Sequence, residues 1–132
     1  MPRHRFLLGV GLLACIALTP LRALEWAATQ VSAQPERGAD VVRTKFEFKN
    51  TSKESVQILG VTTSCGCTEA TPTTSELKPG ERGSLDILFT IGSRTGLQEK
   101  EITVLTSDSR VPIRLRLKIA LPEAAKEPAA AK

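Results

Sequence analysis

Residues 64–68 read Ser-Cys-Gly-Cys-Thr, and the two cysteines, one residue apart, are the most chemically capable positions in this 132-residue chain. A pair of thiols can hold a metal, exchange electrons with other thiols, close into a disulfide, or sit unreacted in a core. Zinc takes four ligands from Cys, His or carboxylates. The chain has one histidine, His4, far from the pair. A zinc site at Cys65 and Cys67 would therefore need acids or a second chain to complete it. Cu(I) is soft and accepts few thiolates, so a two-sulfur site at Cys65 and Cys67 is chemically allowed. A Cys65–Cys67 disulfide meets a problem of length. Residues two apart on a strand are separated by about 6.6 Å, close to the upper limit of about 6.8 Å for bridged Cα atoms. Gly66 supplies a residue that can kink and shorten the gap. Cysteine is also among the most buried residue types, and a pair of small core hydrophobes is an equally good account. On the sequence these readings stay open, and no metal or cofactor is assigned.

Other residue types exclude more than they offer. Hydrolytic triads need an imidazole that moves protons near neutral pH. His4 is the single candidate and lies in a segment expected to be removed. Glu25, Asp40, Glu69 and Asp108 are scattered, without a local motif, and read as solvated surface carboxylates. There is no Gly-rich phosphate loop. The sequence thus assigns no catalytic residue and no cofactor-binding residue, and predicts a protein that is not an enzyme. The net charge of +4 is no argument for nucleic acid: Arg3, Arg5 and Arg22 belong to residues 1–23, and without them 15 basic residues face 14 acidic ones. No basic patch is interleaved with aromatics. Arg114, Arg116 and Lys118 form a cationic row, read as charges guarding a sheet edge. Asn50-Thr51-Ser52 fits the N-glycosylation pattern, but is better explained as a turn between strands.

The first 23 residues predict export. Residues 1–5 are a short basic start; Phe6 to Leu18 is an apolar run of 13 residues, ended by Pro20. That run is too short to span a bilayer comfortably, and it reads as a signal peptide. A cut after Ala23 is the first expectation, with Ala27 or Ala28 as later choices. Leu12-Leu13-Ala14-Cys15 resembles a lipobox, but the apolar run continues past Cys15. The retained chain would be periplasmic or extracellular, with no transmembrane segment and with Cys65 and Cys67 in an oxidising compartment.

The elements that must position the cysteines are strands. From Leu24 onward the hydrophobic period is two. Val42, Thr44, Phe46 and Phe48 share one face, as do Leu85, Ile87, Phe89 and Ile91, then Ile102 and Val104, then Val111, Ile113, Leu115, Leu117 and Ile119. Turn residues separate them, including Lys78-Pro79-Gly80-Glu81, which places Pro and Gly as a type II turn requires. The reading is an all-β fold: a single Ig-like antiparallel sandwich over residues 24–121, followed by a flexible Ala/Pro/Glu/Lys tail over 122–132. About seven strands are expected, near 25–32, 40–49, 55–64, 73–77, 83–91, 98–106 and 111–121. The third carries a phase slip at Gly60, and a bulge there would let Ile58 and Val61 both face inward. Cys65 and Cys67 would then inherit the inward side, at or just beyond the strand's end.

The block Phe46-x-Phe48-x-Asn50, the run from Ile58 through Ser64-Cys65-Gly66-Cys67-Thr68, the Pro79-Gly80-Glu81 turn, and the stretch from Gly96 to Asp108 together resemble the bacterial family known as domain of unknown function 1573. The resemblance covers Phe46 to Asp108 firmly and Trp26 to Leu121 loosely. It implies an exported Ig-like sandwich related to pilus-chaperone domains, and it implies no catalytic residue. The expected function is a non-catalytic extracytoplasmic module whose partner is another protein, bound through exposed strands or loops. The alternative is a thiol site, for Cu(I) or redox exchange, at Cys65 and Cys67.

Overall fold

The computed structural model describes residues 22–123. The basic start, the apolar run, Cys15 and residues 124–132 of the tail lie outside them. Nine strands form: β1 (Leu24–Trp26), β2 (Gln30–Ala33), β3 (Val41–Asn50), β4 (Val56–Thr63), β5 (Thr68–Pro72), β6 (Glu76–Leu77), β7 (Arg82–Thr90), β8 (Leu97–Thr106) and β9 (Ser109–Ala120). They make two sheets, one ordered β1-β3-β7-β5 and one ordered β2-β9-β8-β4-β6. The sheets close face to face as a β-sandwich.

The alternation read from the sequence is what closes it. Phe46, Leu85, Phe89, Ile102, Val104, Leu115, Leu117 and Ile119 are all at most 1% exposed. Each such side chain stabilises by about 1.5–3 kcal/mol when taken from water. Their sequence neighbours Lys45, Glu47, Asp86, Arg114 and Arg116 are exposed. Val111 departs from the pattern. It faces water, 61% exposed, because it follows the tight β8–β9 hairpin, where Thr106 pairs with Ser109 and the register shifts.

Two strands more than expected arise for separate reasons. The stretch 25–32 breaks at Ala27–Thr29, and its halves join different sheets: β1 runs antiparallel to β3, while β2 runs parallel to β9. One pair in the sandwich is therefore parallel, against an all-antiparallel expectation. β5 was hidden because Thr68, Ala70 and Pro72 line its core-facing side, with no large apolar residue to mark the period. The strand expected at 73–77 shrinks to the two residues of β6.

The phase slip behaves as the sequence indicated. The β4–β8 register shifts between Ile58 and Gly60, and Ile58 and Val61 both pack against the core. The extra residue, Leu59, is pushed out to 64% exposure. The Pro79-Gly80 turn also forms, with Gly80 at φ +80 and Glu81 N–H donating to the Lys78 carbonyl at 3.0 Å.

Asn50 is fully buried. Its amide donates to the carbonyls of Glu54 (2.7 Å) and Leu77 (2.9 Å). Its side-chain oxygen accepts from Ser52 N–H (3.0 Å) and Ser52 Oγ (2.7 Å). The residue that fits a glycosylation pattern is thus the internal tie of the β3–β4 connection.

Candidate functional site

The two cysteines lie where the chain leaves one sheet for the other. β4 ends at Thr63, Ser64 N–H donates to the Glu101 carbonyl at 2.9 Å, and Ser64 Oγ accepts from Glu101 N–H at 3.0 Å. These bonds fix the departure from β8. The chain then turns: Thr68 N–H donates to the Cys65 carbonyl at 3.1 Å, and Thr90 N–H donates to the Cys67 carbonyl at 2.9 Å, which starts the β5–β7 pairing. The Thr63 hydroxyl spans the turn, within 3.0 Å of both the Cys65 and the Thr68 carbonyls.

In this turn Cys65 and Cys67 are joined by a disulfide, with Cα atoms 5.2 Å apart, inside the range for bridged residues. The turn thus shortens the spacing that an extended strand would impose. It does so without unusual backbone at Gly66, whose φ is not positive. A Cβ at Gly66 would meet nothing within 4 Å. The kink expected of the glycine is supplied by the crossover itself.

The two sulfurs are not equivalent. Cys67 is 8% exposed and belongs to the core, whereas Cys65 is half-buried and only packs against it. The inward side expected for both cysteines is taken fully by one. Cys65 Sγ accepts a hydrogen bond from Cys67 N–H at 3.2 Å. Cys67 Sγ lies 3.7 Å from Thr68 Oγ1. Joined sulfurs offer no thiolate pair to Cu(I). Among the described residues no group of three or more His, Cys, Asp or Glu side chains comes together. The supporting hydroxyls of Thr63, Ser64 and Thr68 were not singled out in the sequence. Their signal was the hydroxyl-rich run on both sides of the cysteines.

Beside the turn, β4 presents an open edge. β6 covers β4 at Val56 and Gln57, and Ile58 N–H donates to the Ser75 carbonyl at 2.8 Å. Among the described residues no strand covers 59–63 on that side. Because Ser64 N–H points to β8, ladder alternation turns the N–H and C=O of Val61 and Thr63 outward. Other uncovered stretches are guarded: residues 41–46 of β3 carry Arg43 and Lys45, β5 carries Glu69 and Pro72, and residues 109–115 of β9 carry Arg110, Pro112 and Arg114. β1, β2 and β6 are two to four residues long. Charge, proline and shortness are the usual protections of an edge. Gly60-Val61-Thr62-Thr63 has none of these three and is bordered only by the bulge at Leu59, and the exposed side chains of Leu59 (64%) and Leu105 (43%) stand next to it.

A depression of about 580 Å³ lies elsewhere, on the outer face of the β1-β3-β7-β5 sheet among Arg43, Lys45, Glu69, Asp86 and Leu88. It is wide, mixes both charge signs and contains neither cysteine. The geometry at β4 carries more chemistry.

Residues 24–121 match the family described as "Protein of unknown function (DUF1573)". No curated protein is similar enough in sequence to stand as a relative. Among solved structures, the chain is similar to a protein of unknown function from Porphyromonas gingivalis (TM-score 0.66, 20% identity), the match covering 77% of this chain and 50% of that one. The chain thus spans half the length of that protein. It is similar to an ASH/PapD-like domain of human CEP192 (TM-score 0.60, 12% identity; 89% and 99% covered). It is also similar to the CupB2 chaperone of Pseudomonas aeruginosa (TM-score 0.58, 15% identity; 78% and 57% covered). At these identities the likeness is one of fold.

Proposed function

The chain belongs to the DUF1573 family, and we propose that it is an exported, non-catalytic module that binds another protein by adding the partner's extended strand to β4. The observation that carries this reading is the unguarded edge at residues 59–63. A partner strand there would pair with the outward N–H and C=O groups of Val61 and Thr63, and backbone pairing of this kind gives affinity. The exposed Leu59 and Leu105 side chains would give it an apolar foothold. The likeness to a chaperone and to a PapD-like domain supports a binding role for the fold without naming a partner. Export, to the periplasm or beyond the cell, rests on the basic start and apolar run of residues 1–23.

The test is a photo-crosslinking residue at Thr62, whose side chain is exposed, in cells that express the full chain. A discrete crosslinked partner is expected, and Val61→Pro should abolish it. Proline is tolerated where the N–H faces away from the ladder, so this change blocks the edge while leaving the β4–β8 bonds intact. Crosslinking that persists unchanged in a folded Val61→Pro protein would remove the edge from the interaction.

A further inference from the structure

We propose that the Cys65–Cys67 bond is an exchange site for a thiol carried by the strand that docks on β4. This rests on the docking reading above and adds the partner's chemistry: an extended segment with cysteine beyond its paired residues. Val61 and Thr63 are the last outward-facing positions of the open edge, and Cys65 follows two residues later. A docked strand that continues past Thr63 reaches the turn that holds the half-buried Cys65. A cysteine at that place meets the more exposed residue of the pair.

The two sulfurs have the environments that the step requires. The incoming thiolate attacks Cys65 Sγ, and a new sulfur–sulfur bond forms between partner and Cys65. The Cys65–Cys67 bond breaks, and its electron pair leaves on Cys67 Sγ. That leaving sulfur lies 3.7 Å from the Thr68 hydroxyl, which can turn its hydrogen toward the developing charge. Cys67 then takes a proton from solvent. A second thiol of the partner can attack the mixed disulfide, releasing Cys65 as a thiol. The partner dithiol has then been oxidised to a disulfide, and Cys65 and Cys67 have been reduced by the same two electrons. Thiol–disulfide exchange depends on which sulfur is accessible and on how well the leaving thiolate is held, and here the two roles fall on different residues.

The crossover does not depend on the bridge for its shape. Ser64, Thr63, Thr68 and Cys67 hold it through hydrogen bonds to Glu101, Cys65, Thr68 and Thr90. The bridge also closes a loop of only three residues, which constrains the unfolded chain little. A bond with little structural duty, one half-buried cysteine and an adjoining docking edge is suited to opening and closing in the folded protein.

The experiment uses the native protein and three thiol probes: a short Val/Thr-rich peptide with one terminal cysteine, the same peptide interrupted by proline, and glutathione. Mixed disulfides are quenched with acid, the released thiol is alkylated, and adducts are mapped by mass spectrometry. The expected result is an adduct on Cys65 with alkylation on Cys67. The uninterrupted peptide should react about tenfold or more faster than the other two, as effective concentration at a docked site implies. Val61→Pro should erase that advantage and bring the uninterrupted peptide to the rate of the other two probes. Equal rates for all three probes, or adducts on Cys67, would overturn the proposal. So would a disulfide that opens only after denaturation, and in that case strand docking at β4, read independently by the Thr62 crosslink, would still stand.

Discussion

The two ends of the sandwich treat their signature residues in opposite ways. At one end Asn50, last residue of β3, spends every hydrogen-bonding group of its side chain inside the protein: two donors to carbonyls and an oxygen shared by the backbone and hydroxyl of Ser52. At the other end Cys65 keeps part of its surface in solvent, beside an edge whose backbone groups have no strand to pair with. The β3–β7 ladder separates the two, since Lys49 pairs with Arg82 near Asn50 and Thr90 bonds to Cys67 at the far side. A residue whose capacity is used internally serves the fold. A residue with unused capacity at the surface is available for a partner.

The largest effect should come from the saturated end. Asn50→Ala leaves the buried Leu77 carbonyl without the Asn50 amide, while the Glu54 carbonyl keeps Ser52 Oγ and the half-buried Ser52 N–H loses its acceptor. A buried polar group left unpaired costs about 1–3 kcal/mol. A loss of about 2 kcal/mol or more is expected in denaturant unfolding. A loss under about 1 kcal/mol would mean that water replaces the amide and that Asn50 is no keystone.

The open end should yield less. In the chain-entropy account a bridge closing three residues contributes about 1.6 kcal/mol, against about 3 for a loop of 15. The double variant Cys65→Ser, Cys67→Ser should lose about that much and keep its β-sheet circular dichroism spectrum. If it is destabilised as strongly as Asn50→Ala, the bridge is structural, and the contrast between the two ends collapses.

Much of this was legible in the sequence, for identifiable reasons. Large apolar residues at period two announced β3, β7, β8 and β9, because burying one face of a strand leaves that mark. Gly60 announced the bulge. β5 left no mark, since its inward positions are Thr68, Ala70 and Pro72. The split between β1 and β2 was hidden too, because a change of sheet depends on which distant strand each half meets. At the site, the positions of the cysteines were legible but their inequality was not. Cys67 joins the core where Thr90 N–H binds its carbonyl, a contact between residues 23 apart that no local pattern encodes. The Asn50-Thr51-Ser52 turn was legible because its motif is local, while the burial of Asn50 was not, since its bonds reach Leu77 and Glu81.

A smaller effect sharpens the account of the crossover. Gly66 has neither a positive φ nor a crowded Cβ position, so Gly66→Ala should change stability by no more than about 0.5 kcal/mol. The native rate of opening by glutathione should likewise stay close to wild type. A strongly destabilised alanine variant would mean that the turn does need the freedom of glycine and that the hydrogen bonds of Thr63 and Ser64 are insufficient to shape it.

The smallest effect concerns pH. Lys45 and Glu47 sit on the exposed face of β3, between the two ends, and pair at 2.9 Å. The hydrogen bond from Lys45, followed by its charge, lowers the Glu47 pKa, and the same pair of causes raises the Lys45 pKa. The sign follows from each group. The Glu47 contribution is present above the ordinary carboxylate range and is lost as pH falls through its lowered value. The Lys45 contribution is present below the ordinary lysine range and is lost as pH rises through its raised value. The pair therefore acts between those limits, and exposure and salt keep it weak. Asn50 does not titrate, and the bridged cysteines carry no proton. The stability difference between Asn50→Ala and the serine double variant should accordingly be flat from about pH 5 to pH 9, and Glu47→Gln should leave it unchanged. A difference that grows or shrinks across that range would reveal a titrating group coupled to one end and not the other, and the two ends would then differ in charge as well as in saturation.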